Sequence, residues 1–138
     1  MDNKTFAIIK PDAIRNNYMG KIINHILKEG FEILGAKTIH MSKKTAESFY
    51  LIHKDKPFYL ELTNFMSSGK CMVLALEKNN AIDEWRRTIG STNPSDADEG
   101  TIRKLYATSL GENAVHGSDS TQNAKKEIGF FFSDMELI

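Results

Sequence analysis

The run Cys71-Met72-Val73-Leu74-Ala75-Leu76, closed by Glu77, is the tightest constraint on the fold. Six apolar residues in a row, without polar alternation, read as a strand lying centrally in a sheet. The other elements arrange themselves around it. Thr5-Phe6-Ala7-Ile8-Ile9-Lys10 is a short β-rich run stopped by Pro11, hence a second strand. Asp12 is placed to cap the first helical turn after it. Ile22, Ile23, Ile26 and Leu27 share one helical face and Gly30 supplies the stop, while His25 lies off that stripe as a solvated residue. Residues 31–41 read as a strand with Gly35 marking a bulge.

Ser42 is the expected N-cap of a helix running through Phe49-Tyr50. Residues 58–66 read as a short helix entered after Pro57, and residues 81–89 as a helix that carries Trp85 and ends at Gly90. Residues 91–111 are polar and turn-rich, and long irregular segments of this kind are usually functional. A strand holding His116 follows, then a helix from about 120 to 127. The tail has Phe130-Phe131-Phe132, which suits a buried edge or a subunit contact. The order is βαββαβ with insertions. It predicts an α+β fold, a four-stranded antiparallel sheet with helices packed on one side and a long loop before the last strand, the ferredoxin-like arrangement.

A length of 138 residues fits one domain with a single core. Lys plus Arg equals Asp plus Glu, and a duplex-binding module would show a basic excess, so nucleic acid is not the expected main partner. Cys71 is the lone cysteine, which excludes a disulfide scaffold and a cysteine-based zinc site. Met1-Asp2-Asn3-Lys4 leads directly into a strand without a secretory signal, and no apolar stretch has membrane-spanning length. The expected location is cytoplasmic.

Gly30-Phe31-Glu32-Ile33-Leu34-Gly35-Ala36-Lys37-Thr38 nearly matches a phosphate-binding loop. Its lysine is one residue late and its glycines flank a strand, whereas such a loop must follow a strand and open a helix. The match is rejected.

Asn113-Ala114-Val115-His116-Gly117-Ser118-Asp119-Ser120 carries more chemistry. A strand ending in a Gly-Ser-Asp turn would hold an imidazole rigid yet accessible, and imidazole is nucleophilic at cellular pH. Alone, a histidine beside glycine is more often structural. Lys10, Arg86 and Arg103 are each, singly, more often solvated surface charges. Together with Thr92, Asn113 and His116 they suit a triphosphate, lysine as a point charge and arginine as a bidentate donor. Phe58 is slightly better read as core than as a stacking platform for a base. Tyr50 divides between core and phosphate contact. Glu127 is near enough in sequence to orient His116, although a glutamate in a lysine-rich helix is usually solvated. His40 and His53 lack partners at metal-ligand spacing.

Taken in order, Ile9-Lys10-Pro11-Asp12, Lys56-Pro57-Phe58, Gly90-Ser91-Thr92-Asn93-Pro94, Gly100-Thr101-Ile102-Arg103 and Asn113 through Ser120 make the chain resemble nucleoside diphosphate kinase along nearly its whole length. The resemblance implies transfer of the γ-phosphate of a nucleoside triphosphate, mainly ATP, to a nucleoside diphosphate through a phosphohistidine at His116. It implies that Ser118 and Glu127 orient that histidine. Lys10, Tyr50, Arg86, Thr92, Arg103 and Asn113 would contact phosphates and ribose, and the base would stack on Phe58. Mg²⁺ would arrive on the nucleotide phosphates. It further implies a homo-oligomer built from dimers, hexamer or tetramer, with the loop around Pro94 as a contact. Lys70 stands where the family usually has proline, which should affect local rigidity alone. The chain ends at Ile138 without the longer extension of many eukaryotic members, which leaves hexamer and tetramer both open. The competing readings are a non-catalytic ferredoxin-like nucleotide-binding module and a phosphohistidine relay to a protein partner.

Overall fold

The structure, a computed structural model, describes residues 3–138; Met1 and Asp2, ahead of the expected first strand, lie outside the described residues. Four strands form one sheet in the order β2-β3-β1-β4. These are β1 (Lys4–Ile9), β2 (Glu32–His40), β3 (Lys70–Glu77) and β4 (Val115–Gly117). Every neighbouring pair is antiparallel, with Phe6 opposite Ala75, Ile8 opposite Val73 and Ile8 opposite His116. β3 is internal, as its unbroken apolarity requires. The β2–β3 register slips between Ile33 and Gly35, leaving Leu34 as the extra residue of a bulge that Gly35 closes.

Among the described residues seven α-helices accompany the sheet: α1 (Pro11–Arg15), α2 (Met19–Lys28), α3 (Lys43–Phe49), α4 (Tyr59–Met66), α5 (Ala81–Ile89), α6 (Ile102–Tyr106) and α7 (Thr121–Phe131). Pro11 opens α1 because its fixed φ suits the first helical position. Ser42 caps α3 by accepting the Thr45 N–H at 3.0 Å. Ser120 does the same for α7, accepting from Asn123 at 3.1 Å.

The helices cover both faces of the sheet, which corrects the one-sided arrangement expected. Ala7, Ile9, Leu74 and Leu76 pack with Ile22 and Ile26 of α2 and Trp85 of α5. Phe6, Ile8, Val73 and Ala75 face the other way, against Ala46 of α3, Met66 of α4 and Ile128 of α7. Successive residues of a strand point to opposite faces. A central strand apolar at every position therefore needs cover on both, and each fully buried Ile or Leu contributes about 1.5–3 kcal/mol.

Other expectations need correction. Asp12 does not cap α1; Lys10 occupies that position and Asp12 lies inside the helix, buried. Leu27 is 54% exposed: Ile22 and Ile26 are fully buried and Ile23 packs partly against the same core, while Leu27 lies about 100° further around the helix from Ile26. His25, on the other flank, is half-buried rather than solvated. The long loop contains a helix, α6, capped by Thr101 accepting from Lys104 N–H at 3.3 Å. Helix α7 runs past 127 through two of the tail phenylalanines. Phe131 stacks on Phe6 with rings 5.5 Å apart and 2° from parallel, and Phe132 is buried. A Cβ at Gly35 would come within 3.0 Å of the Phe132 ring, so the bulge glycine makes room for the tail. Lys37 of the rejected phosphate loop sits within β2 and pairs with Glu136 at 3.0 Å.

Candidate active site

His116 enters from β4. Opposite Ile8 in register, it shares the sheet face that α3 and α7 cover. Its Nε2 lies 2.8 Å from Glu127 Oε1 on α7, and Ser118 Oγ donates to the same oxygen at 2.8 Å. Ser118 itself is buried behind the carboxylate. On the opposite face, Trp85 Nε1 donates to the His116 carbonyl at 3.1 Å. A Cβ on Gly117 would come within 2.7 Å of Trp85 Cδ1, so only glycine lets the indole approach the strand.

The turn before His116 is strained. Ala114 has φ 73°, and Val115 N–H reaches back to the Asn113 carbonyl at 2.8 Å, closing the rarer form of γ-turn. A non-glycine residue in that region costs about 1–3 kcal/mol and persists only where its surroundings hold it. Both polar groups of Ala114 are held: Asp12 Oδ2 accepts its N–H at 3.1 Å, and its carbonyl accepts Lys10 N–H at 2.8 Å. The start of α1 thus anchors the turn that presents the histidine. Burial raises the Asp12 carboxyl pKa, opposed by the charge of Lys10 and by amides including that of Ala114. Its Oδ1 is buried without a partner among the described residues.

Lys10 is 7% exposed, and its Nζ donates to Asn113 Oδ1 at 2.9 Å. Burial, then the charge of Arg103, lowers its ammonium to about 8 against the pull of Asp12. Arg103, 8% exposed, donates to three backbone carbonyls: Nε to Asn113 at 3.2 Å, Nη1 to Gly90 at 3.0 Å and Nη2 to Val115 at 2.8 Å. A guanidinium has five N–H donors, so two remain for a ligand. Burial and the charge of Arg86 lower its pKa to about 10. Neither Lys10 nor Arg103 is the solvated charge that each resembled singly.

Eight of the ten residues picked from the sequence line one cavity of about 700 Å³: Lys10, Tyr50, Phe58, Thr92, Arg103, Asn113, His116 and Glu127. Ser118 reaches it through Glu127. Arg86, exposed on α5, lines an adjoining cavity of about 510 Å³ that shares Thr92, Arg103 and Gly117 with the first. Tyr50 is buried, and its hydroxyl has no partner among the described residues. Burial, then the Glu127 carboxylate, raises its pKa, so it stays protonated as a donor. Phe58 is 48% exposed at the cavity wall, which overturns the core reading; its ring lies 5.4 Å from that of His53. Sequence reasoning missed the anchoring role of Asp12, the strain at Ala114 and the contact of Trp85 with β4. A buried aspartate in α1 carries no signal distinguishing an acceptor from a cap. Among the described residues no group of three or more His, Cys, Asp or Glu side chains could hold a metal ion, and no helix is long and apolar enough to cross a membrane.

Comparison with known proteins bears on this arrangement. The sequence model of the family described as nucleoside diphosphate kinase matches residues 3–137. A nucleoside diphosphate kinase from Geotalea daltonii is 54% identical over 135 residues, covering 98% of each chain. One from Persephonella marina is 51% identical, covering 98% of this chain and 96% of the other. Among solved structures, the nucleoside diphosphate kinase of Aquifex aeolicus superposes with a TM-score of 0.97 at 38% identity, covering 99% of both chains. A halophilic one from Halobacterium salinarum, in complex with CDP, gives 0.94 at 34% identity, covering all of this chain and 92% of the other.

Proposed function

The chain belongs to the nucleoside diphosphate kinase family of nucleotide phosphotransferases, and from that premise we propose that it works by a ping-pong cycle through a phosphohistidine at His116. The donor is a nucleoside triphosphate, mainly ATP, and the acceptor a nucleoside diphosphate. One observation carries the proposal: an imidazole whose Nε2 is engaged by Glu127 stands in a cavity walled by Lys10 and Arg103. With the proton on Nε2, pointed at the carboxylate, Nδ1 is the nitrogen with a free lone pair. Its attack on the γ-phosphorus releases the diphosphate and puts positive charge on the imidazole, which Glu127 stabilises without taking the proton, by the logic of an acid–histidine pair. The reverse step, with a different diphosphate, completes the exchange.

Phosphoryl transfer has a loose transition state, so catalysis is positioning and charge stabilisation. Lys10, the free donors of Arg103, Arg86 and the Tyr50 hydroxyl supply that charge and those hydrogen bonds, with Thr92 and Asn113 on phosphate and ribose. The lysine, arginine and threonine donors of this cavity suit phosphate oxygens, so Mg²⁺ belongs to the substrate, held by phosphate and water. A base stacked on Phe58 is held by its π-face, which all bases share. The CDP complex of the halophilic relative supports a nucleotide as ligand. The same reading makes the protein a cytoplasmic homo-oligomer of dimers, tetramer or hexamer.

The test is incubation with γ-labelled ATP and Mg²⁺ without acceptor, then a chase with GDP. Acid-labile label on the wild type, absent from His116→Ala and passing promptly to GTP, is the expected result. Undiminished exchange by His116→Ala would refute the mechanism.

A further inference from the structure

We propose that Phe49 is a positioning residue for His116, whose ring sets the plane of the imidazole and keeps water from the phosphorylated form. The proposal rests on the phosphohistidine reading above. Phe49 ends α3, one helical turn beyond Ala46, which is fully buried against the sheet. Its ring lies 5.6 Å from the imidazole at 71°, an edge-on approach. It also meets Phe6 at 5.6 Å, Tyr50 at 4.8 Å, Phe130 at 5.5 Å and Phe131 at 5.3 Å. Phe49 is therefore where the rings of β1, α3 and α7 join around the nucleophile.

The contact with Glu127 leaves one freedom. The imidazole turns about its bond from Cβ, torsions about such sp³–sp² bonds are broad, and the one hydrogen bond at Nε2, off that axis, limits the turn without fixing it. Turning about that axis would swing Nδ1 out of line with the incoming phosphorus. The surrounding rings oppose the turn: Phe6 and Tyr50 also approach steeply, at 64° and 85°. Phe6 is fully buried and Tyr50, which also reaches the cavity, is 5% exposed, whereas Phe49 is half-buried at the cavity wall beside His116. Phe49 is thus the ring whose removal both frees the imidazole and admits solvent without emptying the core.

Water admitted there has a defined reaction. Its oxygen bonds to phosphorus, the N–P bond breaks with its electron pair returning to Nδ1, and both water protons leave with the inorganic phosphate. A shielded phosphoenzyme avoids this loss and waits for an acceptor.

The experiment compares wild type, Phe49→Leu and Phe49→Tyr as full chains. Phosphorylation by γ-labelled ATP is followed in single turnover, the apparent nucleotide affinity is taken from the same series, and release of labelled phosphate is timed on isolated phosphoenzyme without acceptor. In Phe49→Leu, phosphorylation at saturating ATP should slow about tenfold, the loss of one ring pair, with affinity unchanged. Its phosphoenzyme should hydrolyse measurably faster, and Phe49→Tyr, which keeps the ring, should restore both. A merely structural role would lower the melting temperature without moving phosphoenzyme lifetime. If the leucine variant does not fold, Phe49→Met, of similar volume but without a ring, takes its place under the same criteria. Label absent from wild type would remove the phosphohistidine reading and this proposal with it. Label on wild type with a leucine or methionine variant of equal rate and lifetime would leave that reading standing and overturn the role of Phe49.

Discussion

Replacing Asp12 with alanine tests whether the strained turn before His116 places the nucleophile. The substitution removes the acceptor 3.1 Å from Ala114 N–H and leaves that buried donor without a partner, at a cost of about 1–3 kcal/mol. Relief from a buried carboxylate with one unpaired oxygen offsets part of this. A net loss of about 1–2 kcal/mol lowers the melting temperature of a chain this size by roughly 3–8 °C. The catalytic effect should be larger. Holding Ala114 at φ 73° costs about 1–3 kcal/mol, comparable with the anchor just lost, so the turn relaxes and His116 moves with it. A displacement of about 1 Å at a reacting group lowers the rate roughly 10²-fold. Single-turnover phosphorylation and a urea melt read the two effects separately. Adding Ala114→Gly to Asp12→Ala should recover at least about tenfold of the lost rate, because glycine adopts positive φ without strain. Wild-type phosphorylation in Asp12→Ala, or no recovery in the double variant, would refute the argument. Asp12→Asn checks the sign of the pH effect. Burial raises this carboxyl above 3.8, so the folded chain keeps a proton the unfolded chain has lost. Stability from this group therefore falls as pH rises from 3.8 to the raised value, and the asparagine variant should lack that fall.

Gly117→Ala should cost about 1–3 kcal/mol by overpacking, since the new methyl would lie 2.7 Å from Trp85; a denaturant melt measures it. Lys10 sheds its proton as pH rises through about 8. Nucleotide affinity by calorimetry should therefore weaken above that pH in the wild type and lose this limb in Lys10→Gln. For stability the sign is opposite. The folded state releases the proton before the unfolded chain, whose value is 10.5, so the cost of burying this charge disappears as pH rises between the two. Phe58→Ala should weaken nucleotide binding by about 1–3 kcal/mol with an unchanged melting temperature, and the reverse pattern would return Phe58 to the core.

The fold was legible where local pattern and tertiary demand coincide. The β3 run, the cap at Ser42 and the Gly35 bulge each rest on a few neighbouring residues, and each is in place. Sidedness was not legible in the same way, although its cause was in the sequence: β3 is apolar at odd and even positions alike, and only helices on both faces satisfy that. The site divides similarly. His116 and Glu127 are eleven residues apart across one strand–turn–helix, so local reasoning brings them near each other. Lys10 and Asn113 are separated by 103 residues and meet because β4 returns antiparallel beside β1. That pairing also seats the Ala114 turn on the first turn of α1 and gives Asp12 its partner. Nothing in the composition of either segment distinguishes a buried cation from a solvated one, or a capping carboxylate from an anchoring one. The strand pairing makes the distinction, and it explains why the cations of this cavity are concentrated at the end of β1, where the backbone carbonyls of residues 90, 113 and 115 also converge on Arg103.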